Sequence, residues 1–196
     1  NLIQVVGTNG KHSFCVSLRE IIEEAGYTCN LNISPSLQRF NERYYFSGKY
    51  ISDDELYKLL IEVEKVNREK SISFHEIITA AWILHASRNK GDVNIMEAGA
   101  LFRLDSSNVF QKNICSVVMP IGIDHRDFLK KGTIDEIVYE KCSHLLSGSK
   151  IFVSEQKKDV LEKIKKNIIN NSSKKIIFGE DYYYKKMLMV LFMRIK

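Results

Sequence analysis

No apolar run in this sequence approaches the ~20 residues that a membrane-spanning helix requires, and the longest candidate, Met187 to Met193, is far too short. No basic stretch followed by a signal-type apolar segment stands at its start, so no secretory leader is read there. Cysteine is sparse and scattered. Cys15, Cys29, Cys115 and Cys142 fall in four different expected elements without C-x-x-C spacing, which suggests neither a zinc site nor a disulfide framework. A soluble chain in a reducing, cytoplasmic setting is expected. Internal repeats and low-complexity stretches are missing as well. Aromatic side chains are lacking on the stretch carrying Lys157, Lys158, Lys163, Lys165 and Lys166, so these lysines read as a solvated helix face and not as a nucleic-acid surface. They nevertheless supply much of the net charge of +5 and the isoelectric point near 8.9.

What is present begins with 44% hydrophobic residues in a chain of 196, enough for a packed core in one or two domains. Leu2 to Val6 reads as a buried parallel strand that runs into Gly7-Thr8-Asn9-Gly10-Lys11-His12-Ser13. Gly7 and Gly10 free the turn of Cβ atoms, and a helix expected from Ser13 turns its positive end to the same place, so the stretch reads as a phosphate-binding loop. Against G-x-x-x-x-G-K-[ST], Val5 stands at the first glycine and His12 at the magnesium-binding hydroxyl. The competing reading is an ordinary strand-turn-helix with a solvated Lys11.

Further along, Phe14, Leu18, Ile21, Ile22 and Ala25 recur at helical spacing, with Gly26 placed as a left-handed stop. A strand is expected over 27–32, then a polar loop from Ser34 to Arg43 and a short aromatic stretch, Tyr44-Tyr45-Phe46. Ser52 to Glu55 forms a capping box that opens a helix to about Asn67; another helix runs from Phe74 to Asn89, and Val93 to Glu97 is a strand. Ile114 to Met119 is a strand ending near Asp124-His125. A second capping box, Thr133 to Glu136, opens a helix to Leu146; the strand 150–154, the lysine-rich helix to about Asn170 and the strand 175–178 follow.

Alternating strands and helices predict an α/β fold with a largely parallel sheet, in which ligands bind beyond the carboxyl ends of the strands. The phosphate loop, Glu97 and Asp124-His125 all follow such ends, so they are expected to meet at one edge. Glu97 and His125 would give a nucleotide-bound magnesium a hard carboxylate and a second ligand. His125 reads equally as a loop residue held by Asp124. Ser34 alone is a turn residue, and His75 and Glu76 alone are an exposed first helical turn.

The ordered series Gly7-Thr8-Asn9-Gly10-Lys11, Ser34-Pro35, Phe40-Asn41-Glu42-Arg43, Ile51 to Leu56, Phe74-His75-Glu76 with Thr79-Ala80, Glu97-Ala98-Gly99 with Arg103-Leu104-Asp105 and Asn108, Gly122 to His125, and Glu140-Lys141 resembles the folylpolyglutamate synthase and dihydrofolate synthase family of the Mur ligase superfamily. The match runs from the start to roughly Ser154. The resemblance implies a P-loop NTPase-like, Mur-type ATP-binding domain over 1–181. It implies an ATP-dependent ligase that phosphorylates the carboxylate of dihydropteroate or a folate and joins L-glutamate to it, with small molecules as partners and a monomeric state. It further implies that Thr8, Asn9, Gly10, Lys11, His12 and Ser13 bind ATP. One magnesium falls to Ser34 and Glu97 and a second to Glu97 and His125. Lys141 falls on a carbamylated lysine, so that Lys11, His125 and Lys141 carry the chemistry. Phe74, His75, Glu76, Arg103, Leu104, Asp105 and Ser106 fall on the pterin site.

The chain departs from the family pattern at His12, where glycine is usual, at Leu101-Phe102, where a glycine pair is usual, and at Ser36, where histidine follows Ser-Pro. A segment before Asn1 and a carboxy-terminal ligase domain are expected to be missing, and 182–196 reads as a divergent tail. Two rival readings remain open: a nucleotide-binding remnant without ligase activity, and a Mur-type ligase with a peptidoglycan-precursor acceptor.

Overall fold

Alternation along β1 (Leu2–Val6) decides the layering. All five residues are buried, with Leu2 and Val6 on one face and Ile3 and Val5 on the other. The structure, a computed structural model, describes residues 1–183. Its sheet has the order β4-β3-β2-β5-β1-β6-β7-β8. The other strands are β2 (Cys29–Asn32), β3 (Tyr44–Phe46), β4 (Lys49–Tyr50), β5 (Val93–Glu97), β6 (Cys115–Val118), β7 (Lys150–Val153) and β8 (Lys174–Ile177). β2 through β8 by way of β5, β1, β6 and β7 are parallel, while β3 and β4 add antiparallel at the edge. The β3–β4 hairpin was not expected from the sequence. Its turn residues Ser47 and Gly48 both hold positive φ, 43° and 96°, as a tight hairpin of the right twist requires.

α1 (Lys11–Glu24) covers the Ile3–Val5 face, packing on Cys29, Leu31 and Ile95. The other face takes α2 (Asp53–Asn67) and α3 (Phe74–Arg88) over Leu2, Tyr44, Phe46 and Met96. Beside them, α4 (Ile134–Cys142) and α5 (Lys158–Ile168) cover Val6, Val118, Ile151 and Val153. This is the expected α/β arrangement. Gly26 (φ 85°) ends α1 with a Schellman pair, its N–H donating to the Glu23 carbonyl and that of Tyr27 to Ile22. Ser52 and Ser73 each make a reciprocal capping box with Glu55 and Glu76.

Among the differences from expectation are two helix boundaries and one cap. α1 begins at Lys11, two residues before Ser13, because Gly10 at φ 77° already serves as its N-cap. The box at Thr133 is only half made: Thr133 accepts the Glu136 N–H, but the Glu136 carboxylate turns back to accept from the Lys131 N–H. α4 stops at Cys142, short of Leu146, as the chain turns to bury Leu145; Asn171 and Ser173 donate to the carbonyls of Leu145 and Leu146. Of the tail expected at 182–196, Tyr182 donates its hydroxyl to the Val153 carbonyl; 184–196, with Met187 to Met193, lie outside the described residues. Among the described residues no helix is long and apolar enough to cross a membrane.

The parallel register puts the ends of β1, β2, β5 and β6 at one edge, pairing Val5 with Glu97 and Val6 with Val118. The loop after β1 is fastened to the loop after β6. Thr8 and Asn9 donate their N–H groups to the Pro120 carbonyl (2.9 and 3.2 Å), and the Thr8 hydroxyl exchanges hydrogen bonds with Gly122. Gly7 makes the approach possible: at φ 142°, a Cβ there would stand 2.7 Å from the Met119 Cβ. Gly7→Ala is therefore expected to destabilise the fold by about 1–3 kcal/mol in chemical denaturation, the usual cost of overpacking; unchanged stability would show that Met119 yields.

Candidate active site

Gly10 gives α1 no side-chain cap, so the first helical amides, from Lys11, His12 and Ser13, are left for an outside acceptor. The backbone amides of Thr8 and Asn9, two of the expected nucleotide-binding residues, donate to the Pro120 carbonyl. Lys11 is largely buried, its Nζ 3.4 Å from the Thr8 carbonyl and 3.9 Å from Glu97 Oε1. His12 is half-buried and its charge acts on Glu97 and Glu42, which puts it on the side of the Ser34 loop.

Glu97 ends β5 with its carboxylate buried. Its Oε2 accepts the Ser34 N–H at 2.9 Å, so the loop after β2 is clamped to the end of β5. Burial pushes its carboxyl above the usual range, with Ser34 and Lys11 pulling the other way. His125 follows β6 with φ 50°, a left-handed conformation unusual for a residue with a Cβ. Its N–H donates to Asp124 Oδ1, and its Nε2 lies 3.2 Å from Asp124 Oδ2. Glu97, Ser34 and His125 thus belong to one edge, although among the described residues no three His, Cys, Asp or Glu side chains converge.

Lys141, on α4, is almost wholly buried, and its Nζ donates to the Ala100 carbonyl at 2.7 Å. Burial and the neighbouring charge of Lys11 lower its ammonium pKa to about 8, against Asp124 and Asp105. Asp105 is bound by the Ser107 N–H and hydroxyl and lies 3.6 Å from His75 Nε2. Gly99 admits the pair: a Cβ there would be 2.5 Å from Asp105 and 2.8 Å from His75. Lys11 thus acts on both Glu97 and Lys141, and Asp124 and Asp105 act on Lys141.

No protein-family model matches the chain. Among curated proteins, the dihydrofolate synthase/folylpolyglutamate synthase of Bacillus subtilis is 35% identical over 168 residues, 82% of this chain and 39% of that protein. Its counterpart in Buchnera aphidicola of Schizaphis graminum is 34% identical over 173 residues, 82% of this chain and 41% of that protein. This chain is a homologue of the dihydrofolate synthase/folylpolyglutamate synthases. It spans about two fifths of the length of these relatives. A solved Escherichia coli homologue in complex with DHPP and ADP superposes with a TM-score of 0.87 at 26% identity, over 95% of this chain and 44% of that one. The Yersinia pestis bifunctional enzyme complexed with AMPPNP and Mn gives 0.86 at 24% identity, over 95% and 45%, a likeness of fold. The fold is of the Mur ligase type.

Set against this family, several of the expected substrate positions have local partners. Arg103 donates from Nε to both Glu140 carboxylate oxygens at 3.0 Å, and Phe102, in place of a glycine, is buried among Val6, Ala98 and Ile137. Glu76 serves the Ser73 cap, and the Ser106 hydroxyl donates to Thr79 Oγ1. Phe74 is exposed, its ring 5.8 Å from that of Phe40, and Leu104 is exposed on the surface. Sequence reading missed the packing role of Gly99 and the placement of Arg43. The only signal for either was its position within a motif.

His75 is raised above the ordinary histidine pKa by the Asp105 carboxylate, against partial burial. Burial works to raise Asp105, but His75 and Ser107 outweigh it and hold that carboxyl below its usual range. The contribution of the pair to stability is thus present between the two lowered and raised titrations. It is lost as pH rises through the His75 value and as pH falls through the Asp105 value. The stability difference between wild type and His75→Gln should shrink at both ends of that window. In Asp105→Asn the His75 ring should titrate lower by nuclear magnetic resonance; an unmoved titration would break the pairing.

Proposed function

We propose that the chain binds Mg-ATP at the carboxyl edge of its sheet and forms the nucleotide-binding part of a ligase that joins L-glutamate to dihydropteroate or a folate. The observation that carries this reading is the meeting of the uncapped start of α1, the Lys11 ammonium and the buried Glu97 carboxylate in a homologue of that family. The Escherichia coli homologue in complex with DHPP and ADP supports the same choice of ligands. In the proposed reaction an acceptor carboxylate oxygen attacks the γ-phosphorus of ATP and ADP leaves. The glutamate nitrogen then attacks the resulting acyl phosphate; phosphate leaves, the amine loses its proton, and an amide remains.

Lys11 and the amides of Lys11, His12 and Ser13 are assigned to the ATP phosphates, where fixed positive charge favours the charge that moves in phosphoryl transfer. The donors at Glu97, Ser34 and His125 fit magnesium. A single buried carboxylate with a hydroxyl and an imidazole is poor for an all-protein cage but suits an ion that keeps waters and shares phosphate oxygens. When bound, the ion neutralises phosphate charge. We assign one ion to Ser34 and Glu97 and a second to Glu97 and His125.

The pterin end of the acceptor is assigned to His75 and Asp105 with Phe74 and Leu104 at the rim, while Glu76, Arg103 and Ser106 hold the walls. Glutamate binding is assigned to the part of the relatives that this chain does not match. Small molecules, not nucleic acid or membrane, are the proposed partners of a monomeric cytoplasmic enzyme, in keeping with four unpaired thiols.

Carbamylation of Lys141 also belongs to this proposal. A buried amine with a pKa of about 8 is partly neutral near pH 7, so its nitrogen can bond to carbon dioxide with loss of a proton. With 13C-bicarbonate the chain should show a carbamate carbon resonance that Lys141→Arg lacks; a resonance that persists in the variant would assign it elsewhere.

Saturating Mg-ATP should raise the melting temperature, since a ligand confined to the native state stabilises it by mass action. The magnesium dependence of that rise should vanish in Glu97→Gln. No rise in the wild type would end the nucleotide reading, and an unchanged metal dependence would remove Glu97 from the metal site.

A further inference from the structure

Arg43 carries a charge for which the site as described has no use. It closes the 3-10 turn Phe40–Arg43, and its carbonyl accepts from Asn32 Nδ2 (3.1 Å) and the Ile33 N–H (3.4 Å). Asn32 pairs with Met96 across β2 and β5, so Arg43 is held beside the strand end that carries Glu97. Its guanidinium lies 5.1 Å over the Phe40 ring, and that ring meets Phe74, the neighbour of His75. The guanidinium is within electrostatic reach of both Glu97 and His75, its charge working to lower the titration of each.

One polar atom here is orphaned: Arg43 Nε is buried without a hydrogen-bond partner, while His75 Nε2, also short of a hydrogen bond, faces the Asp105 carboxylate at 3.6 Å. A buried donor left unpaired costs free energy, and a guanidinium costs more than a neutral group, so an unmet guanidinium nitrogen beside the end of β5 points to an acceptor that comes from outside. The surroundings describe that acceptor. Phe40 and Phe74 offer aromatic faces, the Phe74 ring being exposed, and the cationic fork stands over the inner ring. The complementary ligand has a flat ring system and ends in an anion with two oxygens, as an aryl carboxylate does.

We propose that Arg43 seats the carboxylate of the acceptor, receiving it on its guanidinium beside Glu97 while Phe40, Phe74 and His75 take the ring end. The inference rests on the ligase reading and deepens it by naming the residue that brings the carboxylate to the phosphate edge. No bond is made or broken by Arg43. It holds the carboxylate in place and favours its ionised form, and in family members with such a seat the neutral amide of the same acceptor would lose the ion pair while keeping the ring contacts.

The test is calorimetric titration of the chain, with a non-hydrolysable ATP analogue and magnesium, against dihydropteroate and its neutral carboxamide. Wild type should favour the acid by about ten- to a hundredfold, the range of a charge-assisted hydrogen bond. Arg43→Met, which keeps an apolar stem against Phe40, should bind acid and amide alike and hold the nucleotide as before. Arg43→Lys should retain part of the preference, which keeps the proposal testable if the methionine variant does not fold. Persistence of the full preference in Arg43→Met overturns the seat. So does loss of nucleotide affinity with the preference intact, which would make Arg43 a phosphate ligand. If wild type binds the nucleotide but neither acceptor, the ligase reading itself fails and the seat fails with it.

Discussion

The close passage of β1 between β5 and β6 is the constraint on which the site depends. Gly7 leaves β1 where the Met119 Cβ would be 2.7 Å from any side chain, and the next two amides close on the Pro120 carbonyl. Because those backbone bonds directly continue the β1–β6 ladder, the start of α1 is held to the β6 loop with little freedom. The loop after β1 and the Asp124-His125 loop are therefore one mechanical unit. On the other flank, the Ser34 N–H bond to Glu97 does the same for β2 and β5.

Charge is arranged on that frame with few direct ion pairs. Lys11 stands 3.9 Å from Glu97, a distance that leaves space for a ligand to share, while Arg43 has its Nε unmet. Burial raises Glu97 and lowers Lys141, so both are pushed toward neutrality in the absence of an added charge. By contrast, the walls are tied: Arg103 to Glu140, Glu76 to the Ser73 cap, Ser106 to Thr79. The contrast between satisfied walls and an unsatisfied floor separates residues that shape the cleft from those left to meet a ligand.

Much of the fold was legible because the signals were local. The capping box at Ser52, the glycine stop at Gly26 and the apolar runs of β1, β5 and β6 depend on neighbours a few residues away, and each element stands where that chemistry puts it. Where a competing partner lay outside the motif, reading failed. The Glu136 carboxylate preferred the Lys131 N–H to the cap, and α4 ended early to bury Leu145. The same holds for the site: Lys11, Glu97 and His125 could be sent to one edge by the rule for parallel sheets. That the Thr8 and Asn9 amides are spent on Pro120 and Arg103 on Glu140 could not be foreseen, because those partners lie far along the chain.

The sequence by itself determined which elements form, their order and the residue types at the strand ends, since these follow from periodicity, capping and turn chemistry over short spans. Only the tertiary structure decided which donors remain free. A hydrogen-bonding group has a fixed capacity, and whether it is used inside the protein or kept for a ligand depends on what the fold brings within about 3 Å of it. Thr8, Asn9 and Arg103 were used in that way; the amides at the start of α1, Glu97 Oε1 and the Arg43 guanidinium were kept.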